Sequence, residues 1–167
     1  MILLVSFPLD SQLPIYLMNT SQPSSTNDSA AACIRNSQRQ DIPEILKLIA
    51  PFIEQRILIA RNEDDLQKLV PHGFVAEAAG EIVGFAALEI YSRKLAEVQC
   101  MAVREGYQKQ GLGRQLVDAC VERAREEQVF ELLAITSSDD FLRSCGFNYS
   151  LPDQRRALFM RTGSERK

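Results

Sequence analysis

The sequence predicts a mixed α/β domain of the α+β kind, and three observations carry that reading. Short runs rich in Val, Ile and Phe recur from Phe74 to Val103 around a Gly80 turn, as strands of a meander do. A long helical pattern follows, in which Leu112, Leu116, Cys120 and Ala124 recur every four residues with Val117 and Val121 beside them. A strand, a short helix and a strand then close the chain, so strands and helices do not alternate regularly.

Taken in order, Ala32–Arg35 is a short apolar stretch suited to a first strand. Asp41 and Glu44 form a D-x-x-E capping pattern, with Pro43 tolerated in the first turn, and Ile42, Ile45, Leu46 and Ile49 recur at helical spacing. A helix is therefore expected from Asp41 to about Ile49 and a second over Glu63–Leu69, broken at His72–Gly73. Phe74–Glu77 and Ile82–Ile90 read as a hairpin about Gly80, and Glu97–Val103 as the next strand. The long helix runs from Gly111 to Gln128 and Phe130–Ile135 is an apolar strand. Asp139–Cys145 is a short helix ended at Gly146, and Ala157–Arg161 a last strand.

The 167 residues are one domain's worth, and 46% hydrophobic with 25% charged residues is ordinary for a globular protein. Residues 1–31 are set apart as a poorly ordered extension and residues 32–167 as the folded domain. Met1–Phe7 is apolar but lacks a basic leader and is interrupted early by Pro8, Asp10 and Pro14, while Thr20–Ser29 has almost nothing to bury. Met18 is read as a second candidate for the start. The net charge of −3 falls to −1 once Asp10 and Asp28 of the extension are set aside, so the domain lacks the basic footprint of a nucleic-acid binder. No apolar segment is long enough to suggest a membrane span. Cys33, Cys100, Cys120 and Cys145 show no CxxC spacing, and His72 is the single histidine. That pattern argues against a metal site and a Ser-His or Cys-His nucleophile, and fits a reducing cytoplasm.

Chemistry concentrates in Glu97–Arg114, where a strand runs into a glycine-bearing loop that opens the long helix. Gly111 and Gly113 remove Cβ atoms where a ligand approaches the backbone, and the first helical turn offers unpaired N–H groups at the positive end of the dipole. Gln108, Lys109 and Arg114 add donors, which together suit a pyrophosphate; the plainer reading is a glycine-bearing helix start with no ligand. Leu116 stands where a dinucleotide fingerprint needs its third glycine, and no GK[ST] follows.

Gln108-Lys109-Gln110-Gly111-Leu112-Gly113 resembles the Q/R-x-x-G-x-G/A acyl-CoA motif of the GNAT N-acetyltransferase superfamily. The strand Met101-Ala102-Val103, Tyr107 and the F-x-x-x-x-G-F ending from Phe141 to Phe147 sit in the matching order, and the likeness covers roughly residues 32–162. It implies a central mixed, mostly antiparallel sheet flanked by helices, with acetyl-CoA as co-substrate. By it the amides of residues 109–114, Leu112 included, hold the CoA pyrophosphate, and the backbone of Met101, Ala102 and Val103 pairs with the pantetheine arm. Two departures are Glu105, where many relatives have proline, and Leu142, where many have a tyrosine acid.

Within the superfamily the chain is most similar to the acetyltransferase domain of bacterial N-acetylglutamate synthases. The carriers are Ile57-Leu58-Ile59-Ala60-Arg61, Glu97-x-x-Cys100-x-Ala-Val, Thr136-Ser137-Ser138 before Phe141, and Leu151-Pro152 with Leu158-Phe159. The resemblance implies transfer to the α-amine of glutamate or a similar amino acid, the entry step of arginine biosynthesis. An ammonium must lose a proton before it attacks a thioester, and Glu97 is the candidate base, against the plainer reading of a solvated strand glutamate. Ser138 would serve the thiolate as acid, or simply cap the next helix. Strict alternation separates Glu97 from Cys100; both reach the substrate only if a bulge, which GNAT relatives carry here, shifts the phase. Without it Cys100 is a buried apolar residue. Guanidinium matches carboxylate, so Arg61 and then Arg161 are the candidate clamps, ahead of the adjacent Arg155 and Arg156. The competing readings are an acetyltransferase for another small amine and a non-catalytic CoA-binding regulator. A homodimer is left open.

Overall fold

Residues 32–136 and 139–149 are described by the computed structural model, and in them five strands and four α-helices follow in chain order. β1 (Cys33–Asn36) leads through a 3-10 turn (Arg39–Asp41) into α1 (Ile42–Glu54); α2 (Glu63–Leu69) and a second 3-10 turn (Val70–His72) follow. β2 (Gly73–Ala78), β3 (Glu81–Ser92) and β4 (Leu95–Val103) form the meander, then come α3 (Leu112–Glu126), β5 (Glu131–Ala134) and α4 (Asp139–Ser144). The sheet order is β1-β2-β3-β4-β5, antiparallel throughout except for the parallel β4–β5 pair that α3 bridges. This is the mixed, mostly antiparallel sheet flanked by helices that was expected. The extension 1–31, Ser138 and the expected strand Ala157–Arg161 lie outside the described residues.

Two apolar layers hold the sheet. On one face Ile42, Ile45, Leu48 and Ile49 of α1 and Leu66 and Leu69 of α2 pack on Val75, Phe85, Ala87, Cys100 and Ala102. On the other, Leu112, Leu116 and Cys120 of α3 pack on Phe74, Ala76, Val83, Val98 and Val103. Full burial of each large aliphatic chain contributes about 1.5–3 kcal/mol, so these layers fix where β4 sits.

Two local details depart from the sequence reading. Asp41 does not cap α1: its carboxylate accepts from the Gln38 N–H at 2.8 Å and from two nitrogens of Arg35 at 2.7 and 3.1 Å, closing the preceding turn instead. α1 also continues past Pro51 to Glu54, because Phe52 and Ile53 still find core to cover. The chain then leaves α1 through Arg56, in the left-handed region at φ 58, with Ile57 N–H donating to Phe52 O and Arg56 N–H to Ile53 O. That is the Schellman ending, and it directs the following loop back over the sheet.

Arg35 holds the buried Asp41 carboxyl below its usual range and also pairs with Glu77 at 2.7 Å. A depressed folded-state value means that stabilisation is complete above the unfolded value of about 4 and is lost as pH falls through the folded one. Arg35→Met is expected to lower the unfolding free energy by about 1–3 kcal/mol at neutral pH. In urea titrations the gap from the parent should narrow on acidification below about pH 4; a pH-independent gap would show that the ion pair is not its source.

Candidate active site

The site begins with an irregularity in β4. Ala87 pairs with Gln99 and Phe85 with Ala102, so Cys100 and Met101 together oppose Ala86 alone. Cys100 lies in the left-handed region at φ 55, a conformation that costs about 1–3 kcal/mol outside glycine. The bulge gives Gln99 and Cys100 the same face, so Glu97, Gln99 and Cys100 all lie on the α1–α2 side while Val98 and Met101 lie on the α3 side.

The same strand also opens an edge. β5 pairs with β4 from Leu95 to Val98 and ends at Ala134, so among the described residues β4 from Gln99 onward has no β5 partner. Arg104 N–H donates to Val83 O at 2.8 Å, which makes Ala102–Phe85 the next bonded pair and turns the backbone groups of Met101 and Val103 into the gap. An extended amide chain such as a pantetheine arm fits there as a missing strand would.

Below the gap the loop after β4 folds onto the start of α3. Gln108 Nε2 donates to Val103 O at 2.8 Å and Gln110 Nε2 to Gly106 O at 2.7 Å. Lys109 and Gly111 both take the left-handed conformation, at φ 61 and 86, and Gly111 is the N-cap. The first intrahelical bond is Gln115 N–H to Gly111 O, leaving the amides of Leu112, Gly113 and Arg114 for an anion. A Cβ on Gly113 would stand 3.3 Å from Phe141 Cζ and 3.9 Å from Val103 Cγ2, so glycine lets α3 close on α4 and β4 together. The side chains of Gln108 and Arg114 are engaged within the protein, Arg114 Nη1 donating to Ser144 O at 2.7 Å. Their part in this structure is to set the loop rather than to stand free as donors.

On the α1–α2 face the charged groups converge. Asn62 caps α2, accepting from Asp65 N–H at 2.9 Å, and so fixes the residue before it, Arg61. Arg61 Nη2 donates to Gln99 Oε1 at 2.5 Å, while its Nε is buried without a partner. Glu97 faces Glu89 across the β3–β4 ladder. Tyr91 OH donates to Glu97 Oε2 at 2.5 Å and lies 3.4 Å from Glu89 Oε2, and burial beside these carboxylates pushes its pKa up. Burial also pushes the Cys100 thiol up, opposed by the nearby Arg61 guanidinium. A raised thiol is a poor nucleophile near neutrality. Leu142, in the place of the relatives' tyrosine, is buried.

The structure thus brings Arg61, Glu97 and Cys100 together, a few residues from the strand edge and loop read as a CoA site. Ser138 and Arg161 lie outside the described residues. The sequence reading missed Glu89, Tyr91 and Gln99. Strand alternation alone places Gln99 on the face of Glu97 and could have found it; Glu89 and Tyr91 needed the hairpin register, which no residue pattern announces.

The sequence pattern described as the acetyltransferase (GNAT) family matches residues 39–147. An N-acetyltransferase of Chlorobaculum tepidum, itself uncharacterised, is 29% identical over 71% of this chain and 77% of its own length. The amino-acid acetyltransferase of Actinobacillus pleuropneumoniae is 33% identical over 76% of this chain, which spans only 30% of that longer protein. Among solved structures, Rv2747 of Mycobacterium tuberculosis in complex with CoA and NLQ superposes with a TM-score of 0.65 at 28% identity, covering 70% of this chain and 71% of that one. N-acetylglutamate synthase of Neisseria gonorrhoeae, complexed with coenzyme A and N-acetyl-glutamate, superposes at 0.62 with 29% identity over 70% of this chain and 28% of the synthase. With the family pattern spanning β2 to β5, the open strand edge and the loop into α3, this chain belongs to the GNAT acetyltransferase family.

Proposed function

We propose that the chain transfers the acetyl group of acetyl-CoA to the α-amine of glutamate or a similar small amino acid, in the cytoplasm, by direct attack with Glu97 as base. The observation that carries this is the convergence of Glu97 and Arg61 on the face of β4 next to its open edge. The likeness to amino-acid acetyltransferases supports it, as does the likeness to a synthase solved with N-acetyl-glutamate.

Acetyl-CoA supplies a thioester carbonyl, and the residues around it order and deprotonate the acceptor. The backbone of Met101 and the N–H of Val103 offer partners to the pantetheine amides, Val103 O already accepting from Gln108, and the first turn of α3 meets the pyrophosphate. Arg61 takes a substrate carboxylate. Glu97, directly or through a water, accepts the ammonium proton, so the nitrogen lone pair is free to form the C–N bond as the C–S bond breaks. The second nitrogen proton ends on the CoA sulfur, with Ser138 assigned to deliver or relay it. Cys100 lines the site as a buried neutral thiol.

One observation favours a second reading. Glu89 stands directly opposite Glu97, so two carboxylates face one arginine, which suits a more cationic amine such as a polyamine. The test is acetyl-CoA-dependent thiol release over the twenty amino acids, spermidine and an aminoglycoside. Preference for glutamate supports the first reading and preference for spermidine the second. CoA binding without turnover on any amine would overturn both.

A further inference from the structure

We infer that Gln99 is a positioning residue that holds the two halves of the acceptor site apart, keeping Arg61 available for a substrate anion and Glu97 available for a proton. The inference rests on the reading of Glu97 as base and Arg61 as clamp, and adds a residue that neither reading requires.

Gln99 is 8% exposed, so its polar end must spend its hydrogen bonds inside the protein. Its Oε1 accepts from Arg61, and its Nε2 lies within hydrogen-bond reach of Glu89, of Tyr91 OH at 3.1 Å and of Glu97 Oε2 at 3.3 Å. The orientation of the amide follows from its neighbours, since a guanidinium only donates and a carboxylate only accepts. A primary amide has one acceptor end and one donor end and no charge. It can therefore face a cation on one side and anions on the other without neutralising either.

No ion pair joins Arg61 to Glu89 or Glu97. Had the arginine closed directly on Glu97, the base would be blunted and the clamp already filled. Arg61 also lies beside the Cys100 thiol, and its buried Nε has no hydrogen-bond partner. The groups facing the amide are Glu89 and Tyr91 from β3, Glu97 and Cys100 from β4, and Arg61 ahead of α2, with Asp65 of α2 close enough to act on Cys100.

The test is steady-state kinetics against pH for Gln99→Glu and Gln99→Met in the full chain, with Glu97→Gln as reference and acetyl-CoA titration as the check on folding. Gln99→Glu places a carboxylate against Arg61 and beside Glu97. It should raise KM for an acidic amino acid about 10-fold or more and move the acidic limb of the kcat profile up by about one pH unit. Gln99→Met removes the spacer and lets Arg61 approach Glu97, so the limb should move down by about one unit. Acetyl-CoA affinity should change less than about threefold in either. Opposite displacements are not what a merely weakened fold produces. If Gln99→Met does not fold, the upward displacement and raised KM in Gln99→Glu still decide the matter. Parental profiles and KM in the folded variants, with Glu97→Gln inactive, would overturn the role of Gln99 while leaving the base in place. Full turnover by Glu97→Gln would overturn both.

Discussion

Glu97→Gln is expected to lower kcat by about 10²–10⁴-fold, the range over which a positioned general base accelerates proton transfer, while acetyl-CoA binding stays at the parental level. The separation follows from the layout of β4. Glu97 lies before the bulge, where β5 still pairs, whereas the cradle lies beyond it in the open edge and the first turn of α3. The fold should tolerate the change, because an amide still accepts from Tyr91 OH and Gln99 Nε2, the two donors that hold the carboxylate. Thiol-release kinetics with a parallel acetyl-CoA titration measure both quantities. A kcat within threefold of the parent would remove Glu97 from the chemistry. Loss of turnover in Cys100→Ala at the same time would move the reaction to the thiol, against the burial that holds it protonated.

Arg61→Ala is expected to reduce kcat/KM for an acidic amino acid by roughly 30- to 150-fold, corresponding to about 2–3 kcal/mol for a desolvated carboxylate–guanidinium contact. The loss should fall mainly on KM, and much less on a substrate whose side chain is neutral, so the glutamate-to-glutamine ratio is the discriminating measurement. Part of the penalty is internal, since Gln99 Oε1 loses its donor. That part is common to both substrates and cancels in the ratio. A ratio unchanged by the substitution would mean that Arg61 supports the β4 face without touching the substrate side chain.

Much of this architecture was legible because it depends on patterns along the chain. The period of α3, the Gly80 turn and the strand–loop–helix passage through Gly111 are local, and the structure reproduces each within a residue or two. α1 was read only to about Ile49, the last residue of the spacing used, yet Phe52 and Ile53 gain more by covering core than the helix loses at the one N–H that Pro51 lacks. Asp41 was read as the cap of α1 because D-x-x-E fits that role; Arg35, across the turn, competes successfully for its carboxylate. The candidate acceptor site was half visible. Arg61, Glu97 and Cys100 stood out by resemblance, but Glu89 and Tyr91 reach the site only through the β3–β4 register, and a register is a property of two strands rather than one.

The bulge at Cys100 carries a consequence for how such a strand changes over time. Omitting that residue from the count leaves Glu97, Gln99 and Ala102 on one face and Val98, Met101 and Val103 on the other, in unbroken alternation. Cys100 is thus one residue more than the ladder needs, and it is the point at which the strand leaves its regular course. The side chain it adds is nonetheless part of the α1–α2 layer, packed with Phe85, Ala87 and Ala102. Geometry at the candidate site and packing of the domain therefore meet in one residue of a nine-residue strand: deleting it would keep the alternation of its neighbours but take a side chain out of the core.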